Sequence, residues 1–229
     1  MIPKIIHYCW FGGKKHPEYL DKNIESWRKY CPDYEIKLWN EDNYDVTKNK
    51  YMYDAYKNGK WGFVPDYARL DIIYEHGGIY LDTDVELINS MDDLLNLDGF
   101  IGFERGDKVN LGVGFGARPK LEILKYLRDQ YEKLDFVRAD GSIDMTPSPD
   151  IQTQHLISKG LQPNGQYQII ESMTVLPEKY INAKSVRTRR TIPKEYTKAI
   201  HHYDGSWVDE RIKKYVESYE RDIEERYQI

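Results

Sequence analysis

Two aspartates separated by one residue are the strongest chemical signal in the chain. The apolar run at residues 79–81 predicts a buried strand, and Asp82-Thr83-Asp84 follows it directly. Residues two apart in an extended chain point to the same side, so both carboxylates can converge on one cation. Mg²⁺ in proteins typically takes one or two carboxylates together with phosphate oxygens. The triplet therefore predicts a divalent metal site that binds a phosphate-containing ligand.

A predicted helix at residues 66–76 leads into that strand and carries a second polar pair. Pro65 suits the first turn of a helix, and Gly77 suits its end. Asp66 and Arg69 are three residues apart and share one face of this helix. A guanidinium binds phosphate oxygens, and a carboxylate accepts hydrogen bonds from sugar hydroxyls. The pair predicts ligand contacts beside the acids; an ordinary surface ion pair is the alternative interpretation.

Two other predicted strands end in residues that suit a nucleotide. Trp10 precedes two glycines, so its ring can stack on a nucleobase while the backbone approaches the ligand closely. Asn40 follows the second predicted strand. Parallel strands bring their carboxyl ends to one edge of a sheet, where α/β folds bind ligands. A core tryptophan before an ordinary turn is the alternative interpretation of Trp10.

A late segment, residues 199–207, adds a histidine pair. His201 and His202 are adjacent, so on a strand they point to opposite faces and at most one enters a given site. Which one does so is left open by the spacing. A neutral imidazole can complete the coordination of Mn²⁺. Ser206 and Trp207, which follow, are candidates to line the phosphates and the base.

The elements that must position these residues form an alternating pattern. Strands are predicted at residues 4–8, 35–39, 79–82, 99–103 and 113–117, and helices at 17–29, 51–58, 66–76 and 121–133. Such alternation predicts an α/β fold with a largely parallel sheet. The second half is interrupted by prolines, with short strands predicted at 167–170 and 198–201 and an amphipathic helix at about 209–227.

Length, net charge and the distribution of apolar residues argue against several classes of protein. A length of 229 residues predicts one domain, and a net charge of −5 argues against nucleic acid as a partner. The apolar start of the chain predicts a strand rather than a signal peptide, and no apolar stretch reaches the roughly 20 residues needed to span a bilayer. We expect a cytoplasmic protein with at most peripheral contact at the inner face of a membrane.

The motifs together resemble those of glycosyltransferase family 32, which includes bacterial capsule and exopolysaccharide enzymes and is related to the glucosyltransferase domains of clostridial toxins. Four segments carry the resemblance: IHYCWFGG, LWN, DYARLDIIYEHGGIYLDTDVEL and HHYDGSW. The resemblance covers nearly the whole chain. It implies a GT-A fold with a Rossmann-like, mostly parallel sheet, a nucleotide-sugar donor, Mn²⁺ or Mg²⁺, and retention of the anomeric configuration.

The resemblance also implies roles for individual residues. Asp66, Arg69, Asp82 and Asp84 correspond to the catalytic and sugar-binding set, with Asp84 the more direct metal ligand. His202 resembles the late metal-binding histidine of the related family 8 enzymes. Relatives carry a Thr-Gly-Pro motif that lines the donor sugar, whereas this chain has Thr146-Pro147-Ser148. The implied donor contacts are Trp10, Asn40, Asp66, Arg69, Asp82, Ser206 and Trp207, and the candidate sugar or acceptor contacts are Asn110, Asp150 and Gln152.

The predicted function is transfer of a hexose from a UDP-sugar, such as UDP-galactose or UDP-glucose, to a glycan or lipid-linked glycan. GDP-mannose is an alternative donor. Asp82-Thr83-Asp84-Val85 after an apolar strand also resembles the nucleophile motif of haloacid dehalogenase-type phosphohydrolases. A noncatalytic carbohydrate-binding protein is the third alternative, and the retained acids argue against it.

Overall fold

The computed structural model describes residues 1–104, 107–185 and 190–203. Its strands are β1 (Ile5–Cys9), β2 (Glu35–Trp39), β3 (Gly78–Tyr80), β4 (Val85–Leu87), β5 (Gly99–Phe103), β6 (Val109–Asn110), β7 (Phe115–Ala117), β8 (Gln168–Ile170), β9 (Met173–Leu176) and β10 (Ala199–His201). Its α-helices are α1 (Glu18–Tyr30), α2 (Lys50–Lys57), α3 (Val64–His76), α4 (Glu122–Gln130), α5 (Ser148–Ile157) and α6 (Glu178–Ile181).

The main sheet has the strand order β2-β1-β3-β7-β5-β9-β8, with β6 paired to β5. Strands β2, β1, β3, β5 and β9 run in one direction, and β7 and β8 run in the other. The prediction of an α/β fold with a mostly parallel sheet is therefore confirmed. The antiparallel β7 in the middle of the sheet was not predicted to run against its neighbours.

Helices cover both faces of the sheet. Successive residues Ile79 and Tyr80 point to opposite faces of β3 and belong to two different buried clusters. The cluster that contains Ile79 includes Trp27 of α1, and the cluster that contains Tyr80 includes residues of α2, α3 and α4. A strand buried on both faces must be apolar throughout, which explains why it was recognisable in the sequence.

Helix α3 is buried on nearly all sides and ends abruptly at β3. Pro65 lies in its first turn, and Gly77 ends it with φ at +66° while its N–H donates to the Ile73 carbonyl at 2.9 Å. A Cβ atom on Gly77 would lie 2.6 Å from Pro119 Cδ, so no larger residue fits there. The tight turn aligns α3 with the strand that leads to Asp82.

Several elements differ from the sequence predictions. Strands β4, β6 and β9 and helices α5 and α6 were not predicted. Pro149 lies in the first turn of α5, where a missing N–H costs no helical hydrogen bond, so this proline begins a helix instead of preventing one. The amphipathic helix predicted at about 209–227 lies outside the described residues. Within the part of the chain that the structure describes, no helix is long and apolar enough to cross a membrane.

Candidate active site

The Asp82–Asp84 segment forms the turn between β3 and β4. Asp82 N–H donates to the Gly112 carbonyl at 2.9 Å, and Val85 N–H donates to the Asp82 carbonyl at 3.1 Å, which closes the turn. From α1, the Asn23 side chain donates to the Thr83 carbonyl at 2.8 Å. These bonds fix the backbone on both sides of the two carboxylates.

The small β4–β10 sheet brings a histidine to this turn. His201 pairs with Val85 across the two strands, and its Nε2 lies 3.2 Å from Asp84 Oδ1. Asp82, Asp84 and His201 each offer one ligand atom, and these atoms all lie within 4.8 Å of one another. The structure thus brings together three residues that are typical divalent-metal ligands.

The structure places His202, the predicted metal ligand, differently. Its Nε2 lies 3.0 Å from Glu86 Oε2, while its backbone N–H donates to the Asp84 carbonyl at 2.9 Å. Because adjacent residues of an extended chain point in opposite directions, only one histidine of the pair reaches the acids. The structure gives that position to His201 instead of His202.

Asp66 and Arg69 lie beside the same turn, on the buried face of α3. The Arg69 side chain is 3% exposed and its Nη2 contacts Asp66 Oδ1. Its Nη1 lies 3.4 Å from Asp82 Oδ1. The alternative interpretation of a surface ion pair is wrong, since both side chains are buried and directed towards the acidic turn.

Ser148, the first residue of α5, completes this group. Its hydroxyl accepts a hydrogen bond from Arg69 Nη2 at 2.7 Å. Ser148 ends the Thr146-Pro147-Ser148 segment, and its hydroxyl binds the guanidinium. The segment that departs from the expected motif therefore still reaches the Asp66–Arg69 pair.

The site is arranged to hold positive charge. Burial raises the pKa of Asp66 to about 6, although the Arg69 guanidinium opposes that effect. Burial also raises the pKa of Asp82, with Arg69 again opposing. Burial alone would lower the pKa of His201, but the neighbouring Asp84 carboxylate raises it to about 9. Without a cation, the acids therefore favour a proton on themselves or on the histidine.

Trp10 and Asn40 lie next to each other at the edge where β1 and β2 end. The register pairs Cys9 with Trp39, and Trp10 N–H donates to the Trp39 carbonyl at 2.9 Å. The Trp10 ring is partly exposed, and its Nε1 donates to the Lys14 carbonyl at 2.6 Å. The Asn40 side-chain oxygen accepts from Asp42 N–H at 3.0 Å within the following turn. β3 runs parallel to β1, so this edge is also where Asp82 emerges.

The three candidate sugar or acceptor contacts have different surroundings. Asn110 is 7% exposed, and its amide donates to Glu104 Oε1 at 2.7 Å. Asp150 forms an ion pair with Lys108. Gln152 is fully buried in α5. Ser206 and Trp207, the implied phosphate and base contacts, lie outside the described residues.

Sequence reasoning missed Gly112 and Glu104. A Cβ atom on Gly112 would lie 2.0 Å from Asp82 Oδ2, so only glycine leaves that carboxylate its position. Glu104 is buried, with its Oε1 3.8 Å from His201 Nδ1. The glycine-rich stretch at residues 111–116 was a visible signal for the first, whereas nothing in the sequence marked Glu104.

The three clustered side chains fit a hard or borderline divalent cation. Two carboxylate oxygens and one imidazole nitrogen suit Mn²⁺ and are compatible with Mg²⁺, which keeps its remaining positions for water and phosphate oxygens. The backbone of Gly112 packs against Asp82 so closely that a side chain there would fill the space beside the carboxylate. Asp82, Asp84 and His201 are therefore the residues that would hold the metal.

Parts of the chain are similar to known glycosyltransferases. Residues 17–100 match a family model described as "Glycosyltransferase sugar-binding region containing DXD motif". An uncharacterised glycosyltransferase, L373, of Acanthamoeba polyphaga mimivirus is 31% identical over 159 residues, covering 65% of this chain and 61% of that protein. Inositol phosphoceramide mannosyltransferase 3 of Schizosaccharomyces pombe is 32% identical over 108 residues, covering 44% and 29% respectively. The chain thus spans less than two thirds of the length of either relative.

Two solved structures share the fold. The PaToxG glycosyltransferase superposes with a TM-score of 0.55 at 18% identity, covering 69% of this chain and 68% of that one. A glycosyltransferase involved in the glycosylation of the major capsid of PBCV-1 gives 0.50 at 15% identity, covering 90% and 95%. The predicted GT-A fold is confirmed. The segment that matches the family model, residues 17–100, includes α3 and the Asp82-Thr83-Asp84 triplet.

Proposed function

We propose that this chain is a metal-dependent, retaining glycosyltransferase that moves a hexose from a nucleotide diphosphate sugar to a hydroxyl of a glycan or lipid-linked glycan. The observation that carries the proposal is the convergence of Asp82, Asp84 and His201 within 4.8 Å, with Arg69 3.4 Å from Asp82. The match of residues 17–100 to a sugar-binding region supports the same activity.

Each residue has a role that follows from its position. A divalent cation held by Asp82, Asp84 and His201 would supply Lewis-acid charge to the departing diphosphate. Arg69, buried and fixed by Asp66 and Ser148, presents its guanidinium towards Asp82, where it can donate to phosphate or sugar oxygens. Asp66 accepts hydrogen bonds from sugar hydroxyls. The partly exposed ring of Trp10 stacks on the base.

The anomeric configuration is retained when the acceptor hydroxyl attacks the anomeric carbon from the face that the diphosphate leaves. The acceptor proton then passes to a diphosphate oxygen, so no protein carboxylate needs to form a covalent bond. The alternative is a two-step route, in which an acid such as Asp150 would form a covalent bond to the sugar; the Asp150 carboxylate is engaged by Lys108. This engagement supports the one-step route.

A UDP-hexose is the donor we favour, because the Trp10 segment resembles that of the toxin glucosyltransferases. GDP-mannose is the second candidate, since two relatives are named inositol phosphoceramide mannosyltransferases and a third is named mannosyl phosphorylinositol ceramide synthase. Their names also make a phosphoinositol-bearing lipid an acceptor to include beside glycans.

The test is a panel of UDP-glucose, UDP-galactose and GDP-mannose with Mn²⁺, read by thermal shift and by release of the nucleoside diphosphate. The correct donor stabilises the folded state by mass action, by about 2.7 kcal/mol at a concentration 100 times its Kd. Asp84→Ala should abolish turnover, while Glu86→Gln, one residue into β4, should retain it. Phosphate release from simple phosphomonoesters without turnover of any nucleotide sugar would favour the phosphohydrolase alternative and overturn the proposal.

A further inference from the structure

A buried glutamate lies behind the histidine of the candidate metal site. Glu104 follows β5 and its side chain is 5% exposed. Its Oε1 lies 3.8 Å from His201 Nδ1, while Asp84 Oδ1 lies 3.2 Å from His201 Nε2. The imidazole therefore lies between two carboxylates, one near each ring nitrogen.

Hydrogen bonds connect Glu104 back to Asp82. Asn110 Nδ2 donates to Glu104 Oε1 at 2.7 Å, and Gly112 N–H donates to Asn110 Oδ1 at 2.7 Å. Asp82 N–H in turn donates to the Gly112 carbonyl at 2.9 Å. A continuous series of contacts thus runs from Nδ1 of His201 through Glu104 and Asn110 to Asp82.

The Nδ1 atom of His201 is buried and makes no hydrogen bond with the described residues. Its distance of 3.8 Å to Glu104 Oε1 is beyond hydrogen-bonding range, and a shortening of about 0.6 Å would bring the two atoms within it. A buried polar atom without a partner is unfavourable, so formation of this hydrogen bond is favoured. A histidine that binds a metal through one nitrogen usually donates the other N–H to a carboxylate or carbonyl, which fixes its tautomer.

We propose that Glu104 is a positioning residue: it accepts the Nδ1–H of His201 and so presents Nε2 to a divalent cation at Asp82 and Asp84. Asn110 orients Glu104 and is thereby assigned to support of the metal site instead of to contact with the sugar. The inference rests on the metal site of the proposed function. It adds two residues that touch neither substrate nor metal.

The test compares two matched variants, Glu104→Gln and Glu86→Gln. Each removes one carboxylate beside a histidine: Glu104 lies beside His201, and Glu86 Oε2 lies 3.0 Å from Nε2 of the adjacent His202. Mn²⁺ affinity is measured on the protein alone by electron paramagnetic resonance. We expect Glu104→Gln to weaken it about 10-fold or more, within the range for loss of such a partner, and Glu86→Gln to leave it within about 2-fold. Equal effects of the two variants, or none from Glu104→Gln, would overturn the proposal.

Two further measurements separate this inference from the proposed function. His201→Ala should weaken Mn²⁺ binding at least as much as Glu104→Gln; unchanged binding would exclude His201 as a ligand and the role of Glu104 with it. In the unaltered protein saturated with Mg²⁺, ¹⁵N NMR of His201 should show the proton on Nδ1, and a proton on Nε2 would contradict the proposal. If these results hold but no nucleotide sugar is turned over, the metal site stands and the proposed function fails.

Discussion

Helix α3 carries two buried aspartates that have opposite kinds of surroundings. Both carboxylate oxygens of Asp71 accept hydrogen bonds: Oδ2 accepts from Tyr44 at 2.8 Å and from Lys48 at 3.0 Å, and Oδ1 accepts from Arg128 at 3.0 Å. We call these four residues the closed cluster. These bonds join α3 to the loop before α2 and to α4. The pKa of Asp71 is lowered because the donors outweigh the effect of burial.

Asp66, one and a half turns earlier, belongs to a group that we call the open group, because it keeps a polar atom without a hydrogen-bond partner among the described residues. Its partner Arg69 leaves Nε buried without a hydrogen bond to the described residues and directs Nη1 towards Asp82 at 3.4 Å. Burial holds the pKa of Asp66 above its ordinary value. A cluster that only stabilises a fold satisfies its own polar groups, whereas one that binds a ligand keeps donors for it.

The same contrast separates two buried histidines. His7 Nδ1 accepts from Trp39 Nε1 at 3.0 Å, so its Nε2–H donates to the Gly77 carbonyl at 2.9 Å. Both nitrogens of His7 are thus satisfied within the fold. His201 instead lies 3.2 Å from an acid of the metal site through Nε2 and has an unbonded Nδ1.

Replacing the aspartate of the open group should have the largest effect on activity. We expect Asp66→Asn to lower kcat/KM about 1,000-fold, equivalent to about 4 kcal/mol, because Arg69 loses the carboxylate that orients it and the sugar loses an acceptor. The variant also leaves the buried Arg69 guanidinium without its carboxylate, so we expect a loss of about 3 kcal/mol in the free energy of unfolding as well. Steady-state kinetics of the folded variant, with whichever donor the panel of nucleotide sugars identifies, would measure the loss. Activity within 10-fold of wild type would remove Asp66 from the site.

Replacing the aspartate of the closed cluster should affect stability without a comparable loss of activity. Asp71→Asn leaves Arg128 and Lys48 without their carboxylate, and we expect a loss of about 3 kcal/mol in the free energy of unfolding. Urea denaturation would measure it. At 20 °C the variant should retain kcat/KM within about 3-fold of wild type, because the cluster contacts none of the metal-site residues. A kinetic defect as large as that of Asp66→Asn would show that the two clusters are not distinct.

The helices and strands of the fold could be predicted from sequence more fully than the contacts of the site. β5 has the predicted boundaries because a strand buried on both faces is an apolar run. β2 also has its predicted boundaries, although Trp39 is its one buried residue. α3 was also found, since Pro65 and Gly77 mark its two ends. Local sequence determines such elements. Their order along the chain was enough to predict which edge of the sheet would carry Trp10, Asn40 and Asp82.

The open site depended on contacts that the sequence does not reveal. β4 has three residues in an acidic stretch, and it becomes a strand only through its pairing with β10 more than a hundred residues later. Period-two alternation showed that His201 and His202 point apart, but only this register determines that His201 meets Asp84. Glu104, which follows β5 of the main sheet, comes close to His201 through a separate tertiary contact. The side chains near the metal site are joined by tertiary contacts with no local signal.

His7, whose two ring nitrogens are both hydrogen-bonded, provides a pH test of the comparison with His201. Burial lowers the pKa of His7 from its ordinary value near 6.5 to about 4, so the neutral ring is favoured in the folded state. This stabilisation is present above the ordinary pKa and is lost as pH falls towards 4. Between pH 7.5 and pH 5, wild type should lose about 2 kcal/mol of unfolding free energy relative to His7→Gln, which does not titrate. Urea denaturation at both values gives the difference; other groups, including the adjacent His76, are common to both proteins. An equal pH response in the two proteins would show that His7 is readily protonated in the fold.

Ser148 tests the open group with the smallest change. Ser148→Ala removes the hydroxyl that accepts from Arg69 Nη2 at 2.7 Å, and a hydrogen bond to a charged group is worth about 1.5 kcal/mol. We therefore expect kcat/KM to fall about 10-fold, with Ser148→Thr, which keeps the hydroxyl, close to wild type. If Ser148 acts only by holding the guanidinium, Ser148→Ala should add little further loss in an Arg69→Lys background, because lysine lacks the second N–H fork that meets the hydroxyl. Additive losses in the double variant would instead show that the hydroxyl of Ser148 acts independently of the guanidinium, either on Asp66, to which it also hydrogen-bonds, or on the substrate.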